Sequence, residues 1–230
     1  MKDLFAKNLL ELNGQIAEAC DKYNRDADDI TVVAVTKTFP NTAIHIAVAS
    51  GIHNIGESRV QEAEQKITEV GQIARFHLIG HLQTNKVKKA VKLFDMIQSV
   101  DSLKLAEEIE RRAAEIDRTI DCLIEINSSG EEAKYGISPN ETLDLINKIK
   151  DMPHINLSGL MTIGPLTNDV EEIRDSFRLC YKIFKKGQLL VGEEFDTLSM
   201  GMSSDFPLAI AEGATMIRVG SVLFGQRNHL

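Results

Sequence analysis

The chain has 230 residues, a length that suits one large domain or two small ones. A hydrophobic fraction of 43% and a charged fraction of 26% are those of a soluble globular protein that needs no disulfides to bury a core. A formal charge of −8 argues against a nucleic-acid backbone as the main partner. The local basic cluster of Lys86, Lys88, Lys89 and Lys92 reads as a solvated helix face, with an anion-docking patch as the alternative.

At the N-terminus, Phe5, Leu9, Leu12, Ile16 and Cys20 recur at spacings of three or four and form one apolar stripe of a helix. Asp3 and the lack of a long apolar run exclude a signal peptide, and no stretch approaches a membrane span. From residue 31 the period changes, and short apolar runs alternate with amphipathic helices. Strands are expected over 31–37, 52–56, 75–79, 95–100, 121–126, 155–162, 195–199 and 215–219. Helical patterns fill about 41–50, 58–70, 84–92, 102–117, 138–150, 169–186 and 204–211. Asp101-Ser102 and Ser138-Pro139 have the chemistry of helix starts. Several strands, such as VVAV and CLIEI, are apolar on both faces, as parallel strands covered by helices are. Eight strand–helix units behind one extra N-terminal helix predict a single (β/α)8 TIM-type barrel over residues 1–230, with an open doubly wound sheet as the alternative. Cys20, Cys122 and Cys180 are far apart, lie on apolar positions and read as reduced core thiols of a cytoplasmic protein.

In a barrel, chemistry collects at the carboxyl ends of the strands. Lys37 ends the first strand segment, TVVAVTK, and a lysine there can form a Schiff base with an aldehyde. The segments after strands 7 and 8 carry GMSSDF and RVGS, which supply Ser203, Gly220 and Ser221. Backbone N–H groups at a helix start, a hydroxyl, and a glycine that permits close approach together suit a phosphate. A phosphate cradle facing a lysine across a barrel mouth matches pyridoxal 5′-phosphate (PLP), which needs an amine for its aldehyde and a holder for its phosphate. A Schiff-base aldolase acting on a sugar phosphate would use the same pieces. The histidines show no metal-ligand spacing with an acidic partner, so no metal site is expected; His229 lies at the tail.

Seven segments in this order carry a specific resemblance: VAVTKTFP (33–40), HNIGESRVQEA (53–63), FHLIGHLQTNK (76–86), INSSGEEAKYGI (126–137), LSGLMTIGP (157–165), LSMGMSSDFPLAI (198–210) and IRVGSVLFGQR (217–227). Over nearly its whole length the chain resembles the YggS/PROSC family of pyridoxal phosphate homeostasis proteins. The resemblance implies a barrel like the N-terminal domain of alanine racemase, with PLP held on Lys37. It also implies Ser203, Gly220 and Ser221 at the phosphate, Arg218 facing the pyridine nitrogen, and Asn54 and Met200 lining the cofactor. An arginine that stays charged disfavours a proton on that nitrogen and handicaps carbanion chemistry.

Alanine racemase has a second, β-rich domain that contributes a catalytic tyrosine across a dimer, and the chain ends three residues after Arg227. The expectation is therefore a monomer without that domain, in which Tyr135 is the tyrosine nearest the rim. The expected role is to hold PLP reversibly and to buffer it or deliver it to PLP-dependent apoenzymes. The alternative is a PLP-dependent amino-acid racemase.

Overall fold

Eight strands pair in parallel and in chain order: β1 (Thr31–Val35), β2 (Asn54–Glu57), β3 (Arg75–Leu78), β4 (Met96–Val100), β5 (Ile120–Ile126), β6 (Ile155–Thr162), β7 (Thr197–Ser199) and β8 (Met216–Val219). β8 closes onto β1, with Thr31 opposite Met216 and Ala34 opposite Val219, so no sheet edge is left open. This computed structural model describes residues 1–131 and 134–226; Arg227, His229 and positions 132–133 lie outside the described residues. The expected (β/α)8 barrel is the observed one.

Around the strands run α1 (Lys2–Lys22), α2 (Asn41–Ala49), α3 (Val60–Val70), α4 (Val87–Leu93), α5 (Leu103–Ala114), α6 (Thr142–Ile149), α7 (Val170–Val191), α8 (Phe206–Ala211) and α9 (Ser221–Phe224). The N-terminal stripe buries Phe5, Leu12, Ile16 and Cys20 as α1 packs on α8 and α9. The larger apolar core lies between strands and helices, with Phe76, Phe94, Phe177, Phe195 and Phe206 fully buried there. Each such ring contributes roughly 1.5–3 kcal/mol by leaving water. All three cysteines are buried and free.

Inside the barrel the apolar cluster is small: Val33, Met96, Leu123, Met161 and Met216. Beside it the interior holds several buried polar residues, among them His77, Gln98, Ser199, Glu125 and Arg218. That is a departure from the branched apolar filling usual in such barrels, and it runs from Arg218 at the candidate site down to His77 at the opposite mouth.

Some boundaries differ from the sequence pattern. Ser102 caps α5 as expected, its hydroxyl accepting the Leu105 N–H at 3.4 Å. α6 begins at Thr142 and not at Ser138, because Glu141 N–H closes a turn on the Ser138 carbonyl first. β1 ends at Val35, so Lys37 stands on the loop just beyond it. α7 runs on to Val191, and the four-residue α9 is too short for periodicity to reveal.

Candidate functional site

Alternation along β1 decides where Lys37 points. Val33 lies in the barrel interior, Val35 lines the carboxyl mouth, and Lys37 keeps the same parity two residues on. Thr36, of opposite parity, faces outward and is fully buried against α3. There Lys66, only 7% exposed, donates from Nζ to the Thr36 carbonyl at 2.7 Å and pairs with Glu57 and Glu62, each at 2.8 Å. The Thr36 hydroxyl donates to Glu57 Oε1 at 2.6 Å, and Glu62 Oε1 accepts the Thr38 N–H at 2.5 Å. Both backbone neighbours of Lys37 are thus tied to one buried ion network. Thr38 has φ +67°, a left-handed conformation that a β-branched residue adopts only under strain, and the Glu62 bond holds it there. Burial raises the Glu57 carboxyl despite the opposing pull of Lys66. Burial acts upward on Glu62 too, but Lys66 and the Thr38 N–H outweigh it and lower that carboxyl.

The loop after β7 folds under the mouth because Gly201 takes φ +92°; a Cβ there would lie 2.5 Å from the Ala209 methyl. Its carbonyl accepts the Arg218 N–H at 3.0 Å, which locks this loop to β8. The buried Asp205 carboxylate accepts the Met202 N–H at 2.5 Å, and burial raises its carboxyl. This turn presents Ser203, whose hydroxyl accepts from Gly220 N–H at 3.3 Å and Val222 N–H at 3.4 Å. Both bonds are long for N–H···O, so hydroxyl and amides form one polar surface with capacity to spare.

Lys37, Ser203, Ser204, Arg218, Gly220 and Ser221 line one cavity of about 270 Å³, with Val35, Ile79, Ile163 and Met202 as its apolar walls. Pockets for drug-sized molecules run from about 300 Å³ upward, so this cavity, just below that range, suits only a compact ligand. A larger hollow of about 790 Å³ lies at the opposite mouth, lined by the first residues of several strands, but it brings no lysine amine or hydroxyl-and-amide cradle together. The smaller cavity is the one with convergent chemistry.

Five of the seven residues read from the sequence meet there; two do not. Asn54 opens β2 at the amino-terminal mouth, where its Oδ1 bonds His77 Nε2 at 3.0 Å. Met200 has the outward parity, follows the inward Ser199 and is fully buried in the helix–strand layer. Met202, two residues later, lines the cavity instead. Tyr135 is 59% exposed and stacks on His81 at 3.9 Å, while His81 Nδ1 lies 3.4 Å from Asp101.

Sequence reasoning missed Lys66 and Glu57. The signal was present: Lys66 sits within the stripe Val60, Ala63, Ile67 and Val70 that α3 buries. Gln98, Ser199 and Glu125 were missed as well. Burial lowers Arg218 to about 10, against the pull of Glu125 and Asp205, and leaves it charged at neutral pH. Burial raises Glu125 to about 7, with Arg218 opposing and Asp101 assisting.

Fold and site together define a (β/α)8 barrel with a lysine-bearing polar cavity at its carboxyl mouth. The family model described as alanine racemase, N-terminal domain, matches residues 14–228. A curated relative from Haemophilus influenzae, named pyridoxal phosphate homeostasis protein, is 38% identical, covering 96% of this chain and 95% of its own. A solved structure described as an unknown protein from Bifidobacterium adolescentis superposes with a TM-score of 0.89 at 36% identity, covering 97% of this chain and 95% of the other. The structure of PipY from Synechococcus elongatus PCC7942 with PLP bound superposes with a TM-score of 0.78 at 36% identity, covering 91% of this chain and all of the other. The chain belongs to the pyridoxal phosphate homeostasis protein family, within the wider family of alanine racemase N-terminal domains.

Proposed function

We propose that this protein holds PLP at the carboxyl mouth of its barrel and buffers it, or passes it to PLP-dependent apoenzymes, in vitamin B6 homeostasis. The observation that carries the reading is the shared cavity: an amine, a hydroxyl-and-amide cradle and a buried guanidinium line one space of about 270 Å³. The residues fit the group. A Cβ on Gly220 would come within 3.2 Å of the Val35 carbonyl, so the bare glycine lets this wall of the cradle sit close against β1.

When bound, PLP supplies an aldehyde that joins an amine reversibly. In this reading Lys37 is that amine, and Ser203 with the Gly220 and Ser221 amides receives the phosphate. Arg218, as the resemblance implies, would face the ring nitrogen; a guanidinium only donates hydrogen bonds, so it would pair with an unprotonated nitrogen. A ring left unprotonated is a weaker electron sink, which favours holding over carbanion chemistry. Asn54 and Met200, read from the resemblance as lining the cofactor, would act only through the residues between. A cytoplasmic setting is part of the proposal, supported by three buried free thiols. No helix among the described residues is long and apolar enough to cross a membrane.

Cofactor transfer tests the role. An apoenzyme mixed with the loaded protein should regain activity faster than with the same concentration of free PLP. Recovery no faster than from free PLP would remove delivery from the account.

A further inference from the structure

We propose that Gln98 is a positioning residue for Arg218, acting through Ser199, with His77 fixing which way the Gln98 amide is turned. A continuous line of hydrogen bonds runs down the barrel interior. Arg218 NH1 meets Ser199 Oγ at 2.7 Å, Ser199 Oγ meets Gln98 Oε1 at 2.7 Å, Gln98 Nε2 meets His77 Nδ1 at 3.0 Å, and His77 Nε2 meets Asn54 Oδ1 at 3.0 Å.

The polarity of this line is set at one end by a group that can only donate. Arg218 has no acceptor, so Ser199 must accept from it and is left to give its own proton to Gln98 Oε1. The Gln98 amide nitrogen then donates, which requires an unprotonated His77 Nδ1. The His77 proton is thereby on Nε2, where Asn54 accepts it. An imidazolium would set two donors against each other at Gln98; burial opposes that form as well, lowering His77 to about 3, with Arg75 adding to the effect. The second arm of Arg218, NH2, donates to the Thr162 carbonyl at 2.8 Å. Two fixed bonds from β7 and the end of β6 hold a guanidinium only 3% exposed that still lines the cavity. Its charge partners, Glu125 and Asp205, act on it without belonging to the line.

The line makes Arg218 a fixed donor and not a mobile cation. Gln98→Leu removes the acceptor of Ser199 and the donor of His77 together. The Ser199 hydroxyl, no longer anchored, can rotate away from Arg218 NH1, so only the Thr162 bond holds the guanidinium in a fixed place and its approach to the ring nitrogen loosens.

This inference rests on the PLP reading for its consequence but not for its polarity, so the experiment has two arms. In PLP-loaded protein, Gln98→Leu should release cofactor about tenfold faster, the upper end of what one hydrogen bond between neutral groups contributes. Its bound-cofactor absorbance should also vary with pH where the wild type is flat, because the ring nitrogen can now protonate. Ser199→Ala should show the same change, and Ser199→Thr, which retains the hydroxyl, should recover it. Release and spectra unchanged in Gln98→Leu would overturn the positioning role.

In unloaded wild-type protein, nitrogen NMR should find His77 neutral and protonated on Nε2 from pH 5 to 8. A proton on Nδ1, or an imidazolium in that range, would overturn the relay even if every variant fails to fold. Failure of the wild type to take up PLP would instead refute the cofactor reading and leave this arm standing.

Discussion

Glu125→Gln is the substitution whose effect the structure constrains most tightly. Glu125 lies on β5, faces the barrel interior at 5% exposure, and its Oε2 is buried with no hydrogen-bond partner among the described residues. Burial carries its carboxyl from 4.5 to about 7. A carboxyl whose folded-state pKa lies above its unfolded value binds protons more tightly in the folded protein. Its contribution to stability is therefore complete below about pH 4.5 and is lost as the pH rises through about 7. That rise in pKa corresponds to roughly 3 kcal/mol. Glutamine keeps the shape and cannot ionise, so the variant should match the wild type near pH 4.5 and exceed it by up to about 3 kcal/mol at pH 8. The figure is an upper limit, because the carboxylate also serves as a counter-charge for Arg218. Urea unfolding of both proteins at half-unit steps from pH 4.5 to 8 measures the difference, in which groups common to both cancel. A gap between variant and wild type that stays constant with pH would refute the reasoning.

Two further substitutions address the walls of the site. Lys66→Met strands two carboxylates, one of them fully buried, and should cost about 3–5 kcal/mol in urea unfolding. Adding Glu57→Gln should recover part of that loss, whereas strict additivity of the two costs would contradict the network. Ser203→Ala removes the hydroxyl that accepts from Gly220 and Val222 and should weaken PLP binding about tenfold while leaving the unfolding midpoint within about 1 kcal/mol of the wild type. Equal affinity of the two proteins in an equilibrium titration would remove Ser203 from the cradle.

Much of this arrangement is legible in the amino-acid order. Two-sided apolar strands and amphipathic helices in strict alternation define the barrel, because parallel strands must be covered on both faces. Lys37, Ser203, Gly220 and Ser221 are found from rim position alone, since each follows the carboxyl end of its strand. Asn54 and Met200, carried over from the resemblance, do not line this cavity, for reasons of depth and parity that motifs do not carry: Asn54 opens β2 at the opposite mouth, and Met200 is one residue out of phase with the inward Ser199. The buried ions escape sequence reasoning for a different reason. Glu62 and Lys66 have the spacing of an ordinary exposed i,i+4 pair; the place of Lys66 in the buried stripe of α3 hints otherwise, and its contacts with Thr36 and Glu57 settle it. Gln98 and Ser199 resemble strand-surface polar residues until the closed barrel turns both inward.

The central claim is that Lys37 is the amine that holds the cofactor. PLP-loaded protein should be reduced with borohydride, digested and searched for the modified peptide by mass spectrometry. The account expects the label on Lys37 and its loss in Lys37→Ala. A label on Lys66 or another lysine, or one that persists unchanged in Lys37→Ala, would contradict it.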